Sequence, residues 1–224
     1  MEEQAQRNVR YYSISGGTFT TKVNSDHPEA VLKEYQDDDG NTVKKYVREI
    51  PALFGKIENI EFYEGGFGKN VNIYLEKDED GVTPVISVGV ANRFGEDLLK
   101  KIPSIDLTKA VRIRPFSFTP EDSKKEVRGV DVRQVDLEGK FTRKVENFFY
   151  DSKAKKGLNG YPEVDFDTEK ADSDDWRMYY TKARKYTISY IEKNVLPKFQ
   201  QETKPKSDKV AYPTEDINPE DIPF

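Results

Sequence analysis

Residues 111–118, Val-Arg-Ile-Arg-Pro-Phe-Ser-Phe, place two arginines and two phenylalanines at alternate positions. Side chains of a β-strand alternate between two faces, so a strand here would put Val111 and Ile113 on one face. Guanidinium groups on the other face would meet phosphates, and rings would stack on flat bases at about 1–3 kcal/mol per base. The pattern suits a polyanion that carries bases, and its candidate residues are Arg112, Arg114, Phe116 and Phe118.

A structural interpretation of the same segment is equally compatible with its residues. The two phenyl rings could pack under a helix, while the two arginines pair with acidic residues. The chain has 41 acidic residues, so such pairs are easily formed. Residues 111–118 by themselves favour neither interpretation.

Charge is unevenly distributed along the chain. The formal net charge is -5, which by itself argues weakly against a nucleic-acid ligand. Residues 100–145, however, contain 12 Lys or Arg and 7 Asp or Glu. The acids concentrate elsewhere, in residues 37–40, 78–81 and 172–175 and near the end of the chain. The middle of the chain is therefore its basic part.

The composition excludes several catalytic classes. Cysteine is absent, so no thiol nucleophile or cysteine-bound zinc can form. His27, the only histidine, precedes a proline in a polar stretch that we expect to be a loop, so we expect no histidine-based triad around it. We expect no enzymatic activity and no cofactor; a carboxylate-only Mg²⁺ site stays open in principle, although no tight acidic cluster marks one. The sequence shows no apolar membrane-spanning run and no secretory signal, so we expect a cytoplasmic protein.

The elements that would position the basic and aromatic residues are predicted to be mainly strands. The apolar phase of residues 44–63 changes near Glu58 and Asn59, which predicts a bulge or bend in a long first strand. Four more strands and one short helix follow. The resulting order, three strands, a helix and two strands, matches the five-stranded Greek-key OB barrel. The predicted elements are strands at 70–76, 84–92, 109–118 and 127–137, and a helix at 93–102.

An OB barrel would bring further residues to one groove. Oligonucleotides bind the OB fold on its second and third strands and between two of its loops. Tyr74 is predicted to point outward from the second strand. The other candidates lie in or after the two turns, where the simpler interpretations are a hairpin aromatic and a solvated lysine tip. These turn candidates are Phe67, Lys69, Lys124, Lys125 and Arg128.

The sequence predicts an N-terminal extension before the barrel and a linker, a helix and a tail after it. The N-terminal extension contains a ribbon that turns at Gly16 and Gly17. A linker or long loop and then a helix follow the barrel, and the end of the chain has the composition of a disordered acidic tail. The predicted divisions are 1–43 for the extension, 44–150 for the barrel, 151–171 for the linker, 172–199 for the helix and 200–224 for the tail.

The predicted C-terminal helix begins at a capping residue, Asp172 or Ser173, and ends at Pro197. Its apolar and aromatic residues recur at helical spacing. We expect this stripe to pack on the barrel or on a second copy of the chain. The stripe consists of Trp176, Tyr180, Ala183, Thr187, Tyr190, Ile191 and Val195.

The last residues carry a resemblance to a known family. Acidic residues that close on Asp-Ile-Pro-Phe, at 221–224, resemble the C-terminal tip of bacterial single-stranded-DNA-binding proteins. In that family the core is an OB domain and the tip recruits genome-maintenance enzymes. The resemblance implies that a partner's pocket holds the Phe224 ring while basic groups hold its carboxylate and the nearby acids. The residues so implied are Asp216, Glu220, Asp221, Ile222, Pro223 and Phe224.

The sequence and the resemblance together predict a protein that coats single-stranded DNA during replication, recombination or repair, without strong sequence preference. The tail follows a helix rather than a linker rich in Gly, Gln and Pro, so the chain is more similar to bacteriophage-encoded members, acting in the bacterial cytoplasm. Replication or repair proteins are the expected partners, and self-association is left open. The alternative is an adaptor that binds no DNA and captures such proteins through its tail.

Overall fold

The computed structural model describes residues 8–36, 40–66, 68–151, 153–154 and 156–202. The structure is mainly β, with a large mixed sheet, a smaller antiparallel sheet and C-terminal helices. The elements are β1 Val9–Ser15, β2 Thr18–Lys22, β3 Val31–Gln36, β4 Thr42–Ile50, β5 Leu53–Gly55, β6 Ile57–Gly65, β7 Gly68–Leu75, β8 Thr83–Gly89, α1 Arg93–Lys101, β9 Val111–Phe118, β10 Val127–Gln134, β11 Arg143–Lys144, β12 Tyr150–Asp151, β13 Lys156–Gly157, α2 Ser173–Asn194 and α3 Leu196–Glu202.

The large sheet has the strand order β3-β4-β2-β1-β8-β7-β6. The predicted N-terminal hairpin is present as β1 and β2. It turns at Gly16 and Gly17, whose φ angles of 59° and 82° suit the two-residue turns that match strand twist. β1 also pairs with β8, in parallel, while the other pairs of the sheet are antiparallel. The N-terminal strands therefore extend the central sheet.

The small sheet has the order β11-β10-β9-β5. Only Lys56 separates β5 from β6, so one bent segment contributes a strand to each sheet. The pairing of β6 with β7 shifts register between Ile57 and Asn59, where the sequence predicts a bulge. The shift keeps both Ile57 and Ile60 buried, at 3% and 2% exposure, and the prediction is confirmed.

The described strands form no closed barrel, in contrast to the OB-type barrel that the sequence predicts. Closure would need β8 to pair with β10, but β1 occupies the edge of β8. The backbone N–H and carbonyl groups at this edge of β10 bond instead to side chains of α1 and to the segment that contains β11. The Val130 N–H donates to Asp97 Oδ2 at 2.7 Å, and the Val130 carbonyl accepts from Lys101. The Val132 carbonyl accepts from the Val145 N–H at 2.9 Å.

A hydrophobic core to which both sheets contribute contains most of the buried apolar residues of the described chain. Alternation along each strand sends one set of side chains inward, and α1, α2 and α3 add their apolar sides to the same core. Burial of apolar area is the main stabilising contribution in such a structure. The apolar residues therefore face the core, and the two outer faces carry mostly polar and aromatic residues. The central core residues include Phe19, Ile60, Ile73, Ile86, Leu98, Ile113, Val130 and Ile191.

Helix α2 begins as predicted, with Asp172 as its N-cap. Its carboxylate accepts from the N–H groups of Asp174 and Asp175, and Asp175 accepts in return from the Asp172 N–H. The second half of the predicted stripe is buried. The first half is not: Trp176 is half-buried and Tyr180 is 40% exposed. The buried residues of the stripe are Ala183, Thr187, Ile191 and Val195.

The helical region continues past the point where the sequence predicts its end. Helix α2 ends at Asn194, ahead of Pro197, and Pro197 then lies in the first turn of α3. Proline is tolerated there because backbone N–H groups in the first turn of a helix have no intrahelical acceptor. Among the residues that the structure describes, no helix has both the length and the apolar character needed to cross a membrane.

Candidate nucleic-acid interface

Strand β9 presents its side chains as the alternation predicts. Val111 and Ile113 are completely buried in the core, and the residues between and beyond them lie on the outer face of the small sheet. We call this surface the arginine face. Its members, placed by strand register on one side of the sheet, are Phe54, Arg112, Arg114, Phe116, Phe118, Val127, Gly129, Asp131, Arg133 and Lys144.

A row of residues crosses the arginine face from one edge of the small sheet to the other. Phe54 on β5 is the register partner of Arg112 on β9, Arg112 is the partner of Arg133 on β10, and Arg133 is the partner of Lys144 on β11. Paired strands lie about 4.8 Å apart. One exposed ring, Phe54 at 53% exposure, thus stands at the end of three consecutive cations.

Asp131 holds two of these arginines in place. Its Oδ2 accepts from Arg112 Nη2 at 3.0 Å and from Arg133 Nε at 3.1 Å. Burial by itself would raise the pKa of Asp131, but the hydrogen bond from Arg112 and the charge of Arg133 outweigh it and lower the pKa below its usual range. The carboxylate therefore stays ionised at neutral pH, and it orders the guanidinium groups without neutralising the whole face.

Phe116 and Phe118 continue the face toward the end of β9. Their ring centroids are 6.0 Å apart and their planes are tilted by 36°. Gly129 makes room for Phe116, because a Cβ atom at Gly129 would lie 2.7 Å from Phe116 Cζ and 2.9 Å from Asp97 Oδ2. Phe116 is half-buried and Phe118 is 53% exposed, so the outer ring is free to stack.

The interpretation in which the arginines of residues 111–118 pair with acidic residues fits Arg112, which pairs with Asp131. It does not fit Arg114. Arg114 is exposed and makes no ion pair with any described residue. Lys124 and Lys125 are exposed in the loop between β9 and β10 and likewise make no ion pair within the described chain. Arg128, also exposed, is paired with Glu126.

Tyr74 lies on the outer side of its strand, as the alternation predicts, but it is covered and lies apart from the arginine face. It is only 8% exposed, and its hydroxyl donates to Glu61 Oε2 at 2.6 Å. Burial, together with the hydrogen bond and charge of Glu61, raises the pKa of Tyr74 to about 12. Tyr74 lies on the outer surface of the part of the large sheet that β6, β7, β8 and β1 form, and we call this part of the surface the tyrosine face. The residues that register places on it include Tyr11, Ser13, Glu61, Tyr63, Asn70, Asn72, Tyr74 and Ser87.

Lys69 is also separated from the arginine face. Its ammonium group lies 5.4 Å from the centroid of the Phe62 ring and 3.6 Å from Glu192 Oε1 on α2. These contacts place Lys69 on the inner side of the large sheet, beside the C-terminal helix. Phe67 and the six predicted partner-binding residues at 216–224 lie outside the described residues.

Sequence reasoning missed Phe54, Arg133 and Lys144. Phe54 could have been found from the sequence. If Leu53 is assumed to be buried, the alternation of side chains along a strand places Phe54 on the outer side. Arg133 and Lys144 carry no such signal, because only strand pairing shows that they continue the row through Arg112.

By register the arginine face carries four cations and one acid, Asp131. Its fourth cation, Lys144, is paired with Glu146 at 3.2 Å, just beyond β11. Cations and exposed rings arranged in this way can bind phosphates and bases at the same time. The part of the chain that the structure describes contains no group of three or more His, Asp or Glu side chains placed to hold a metal ion.

Comparison of the chain with models of protein families, with curated proteins and with solved structures found no match.

Proposed function

We propose that this chain is a non-enzymatic protein that coats single-stranded DNA in replication, recombination or repair, and that the arginine face is its contact surface. The observation that carries the proposal is the row of Phe54, Arg112, Arg133 and Lys144 across four strands. From Arg112 to Phe118 the face runs about 20 Å along β9, at about 3.3 Å per residue. A surface of this length suits a strand of several nucleotides.

The fold supports an OB-type relationship, which is part of the proposal. The bent segment β5–β6 is followed by β7, β8, α1, β9 and β10, in the order of OB strands and helix. The bent segment pairs with β7 in one sheet and with β9 in the other, as a first OB strand does. The missing pair between β8 and β10 is explained by the added strand β1 and by the α1 side chains at the edge of β10.

The chemistry of the arginine face predicts binding that depends strongly on salt and weakly on sequence. Release of counterions from single strands gives a salt slope of about −0.7 per neutralised phosphate. Four cations, of which two share Asp131 and one is paired with the exposed Glu146, should therefore give a slope of about −2 to −3 if the bound strand displaces Glu146. Stacking on Phe54 and Phe118 discriminates little between bases, because each base has a π-face.

The test is fluorescence anisotropy of a labelled dT oligonucleotide at two salt concentrations, with a duplex of the same length for comparison. We expect the single strand to bind at low salt, to lose affinity as salt rises and to bind more tightly than the duplex. If the full chain fails to bind the single strand even at low salt, the proposal is wrong.

The resemblance of residues 221–224 to the family tip favours a second role, in which the tail captures a replication or repair protein. It also favours the second candidate function, an adaptor without DNA binding. Binding of a single strand by the unaltered chain separates the two, and Phe118→Ala and Phe224→Ala then show which part of the chain makes the contact. Under our proposal Phe118→Ala weakens single-strand binding, while Phe224→Ala leaves the arginine face intact and does not weaken it. The adaptor predicts no single-strand binding by the unaltered chain.

A further inference from the structure

A groove with a volume of about 740 Å³ lies between α1, α2 and the outer ends of β9 and β10. We call it the helix groove. Three of its lining residues, Phe116, Arg128 and Gly129, come from β9 and β10, and register places Phe116 and Gly129 on the arginine face. Its volume lies in the range of pockets that enclose small ligands, about 300–1,000 Å³. The helix groove is therefore a continuation of the arginine face toward the C-terminal helix.

Aromatic rings make up much of the lining of the helix groove. Trp176 and Tyr180 are stacked, with centroids 5.8 Å apart and planes 28° from parallel. Tyr150 and Tyr180 are 41% and 40% exposed, so parts of these rings are accessible. The six aromatic residues of the lining are Phe116, Tyr150, Tyr161, Trp176, Tyr179 and Tyr180.

Packing behind the groove fixes several of these rings. The completely buried Phe149 lies 5.4 Å from Tyr161, centroid to centroid. Trp176 meets the Phe166 ring edge to face at 5.1 Å, and the Tyr179 hydroxyl donates to the Pro162 carbonyl at 3.3 Å. Rings held in this way lose little conformational freedom when a flat ligand binds.

The acids of the helix groove already have partners. Glu96 accepts from Arg184 at 3.2 Å, and Asp97 binds Lys101 at 2.8 Å. By contrast, Arg93 and Lys100 make no ion pair with the described residues; the Lys100 ammonium lies 5.7 Å from the Tyr161 ring centroid. The charge left for a ligand is therefore positive, which favours a ligand that is both aromatic and anionic.

We propose that the helix groove binds unpaired nucleobases of the strand that leaves the arginine face, with Trp176 and Tyr180 as stacking residues and Arg93 and Lys100 as phosphate contacts. This inference rests on the proposed function and adds a second, base-stacking subsite to it. A single strand long enough to pass Phe118 and Phe116 enters the groove, whereas a shorter strand occupies the arginine face alone.

The chain supplies its own reporter for this subsite, because Trp176 is its only tryptophan. The experiment titrates the full chain with labelled dT oligonucleotides of about 4 to about 16 nucleotides, the site sizes found for single OB folds. Oligonucleotide anisotropy reports binding anywhere, and tryptophan emission reports the groove. We expect short oligonucleotides to raise anisotropy without changing emission, and long ones to quench emission as well.

Two matched pairs of variants complete the test. Tyr180→Ala should weaken binding of the long oligonucleotide at least fivefold and leave the short one unchanged. Met178→Ala, at a residue of the same helix that is 71% exposed and outside the groove, should change neither. Arg93→Ala should weaken long-oligonucleotide binding, whereas Lys185→Ala, which also removes an exposed cation, should not.

The outcomes separate the two proposals. If anisotropy shows binding at every length while tryptophan emission stays constant and Tyr180→Ala and Arg93→Ala bind like the unaltered chain, the helix groove is only a packing feature and the inference is wrong, although the proposed function stands. If anisotropy shows no binding at any length, the proposed function fails and the inference fails with it. Circular dichroism of each variant verifies that the fold is kept.

Discussion

The arginine face and the tyrosine face are outer surfaces of two sheets that share one core, and both carry aromatic side chains. The arginine face has four cations and one acid. On β6, β7, β8 and β1 the tyrosine face has one acid, Glu61, and no cation; the same side of the sheet carries Lys22, Lys33, Lys45 and Glu49 only farther on, at β2, β4 and β3. Exposed rings are available on both, at Phe54 and Phe118 on one and at Tyr11 and Tyr63 on the other.

The difference shows that aromatic content does not by itself mark a surface for a polyanion. Rings could stack on bases on either face, but only the arginine face offers the cations for the phosphate contacts that we propose, and such contacts dominate affinity for nucleic acids. The carboxylates of the two faces also act differently. Asp131 orders two arginines, whereas Glu61 accepts a hydrogen bond from a tyrosine. Four predictions test this comparison.

The largest effect is expected from removal of an exposed ring. Phe118→Ala should weaken binding of a dT oligonucleotide by about 1–3 kcal/mol, the range found for a stacked base. Tyr63→Ala on the tyrosine face removes a ring of similar exposure, 41% against 53%, and should leave binding unchanged. Anisotropy titrations of both variants measure the contrast. A loss at Tyr63→Ala with none at Phe118→Ala would reverse the roles of the two faces.

Reversal of one unpaired charge should have the next largest effect. Arg114→Glu removes a phosphate contact and adds repulsion, so we expect about tenfold weaker binding, equivalent to about 1.4 kcal/mol. The salt slope should become shallower by about 0.7. Lys193→Glu, at an exposed residue of α2, makes the same change in net charge and serves as the control. Equal losses in the two variants would mean that net charge, and not the arginine face, governs binding.

Asp131→Asn tests the carboxylate of the arginine face through stability. We expect a loss of about 1–2 kcal/mol at pH 7, as for hydrogen bonds to a charged group that is partly exposed. Since the pKa of Asp131 is lowered in the folded protein, its contribution is present above the unfolded pKa of about 3.9 and declines as the pH falls below it. Urea unfolding of both proteins at pH 7 and pH 3 measures this. If the two proteins differ in free energy of unfolding by as much at pH 3 as at pH 7, the ionised Asp131 carboxylate is not the source of the stability.

Tyr74→Phe tests the tyrosine face, and its effect should be the smallest. Loss of the hydrogen bond to Glu61 should cost about 0.5–1.5 kcal/mol at neutral pH. Because the pKa of Tyr74 is raised to about 12, the tyrosine favours the folded state below its ordinary pKa of about 10 and loses this contribution as the pH rises toward 12. The unaltered protein should thus lose more stability than Tyr74→Phe between pH 9 and pH 11. Parallel losses would contradict the role given to Tyr74.

Local features of the chain could be predicted from the sequence because each depends on residues close together. The alternation in residues 111–118 fixes which side of β9 carries Arg112 and Phe118. The phase change near Asn59 fixes the register shift. Asp172 fixes the start of α2, because its carboxylate accepts from N–H groups only two and three residues away.

The burial of Tyr74 could not be predicted in the same way. Alternation separates the two sides of a strand but does not say how much of either side neighbouring strands cover. β7 lies between β6 and β8, so strands on both sides cover Tyr74. Glu61 on β6 accepts a hydrogen bond from the Tyr74 hydroxyl. The helix groove was missed for a similar reason, since it forms where Trp176, 60 residues after Phe116 in the chain, comes to line the same cavity.

The sequence by itself determined the types of the elements from β6 to β10 and of α2, the outward direction of Arg112 and Phe118 and the basic character of the central region, since these follow from the spacing of side chains and from their charge. Only the tertiary structure decided which edges pair. The partner of β8 is β1, over 70 residues away, and the partner of Arg112 across the sheet is Arg133. Edge N–H and carbonyl groups accept any strand of suitable geometry, so these choices depend on the packing of the whole chain.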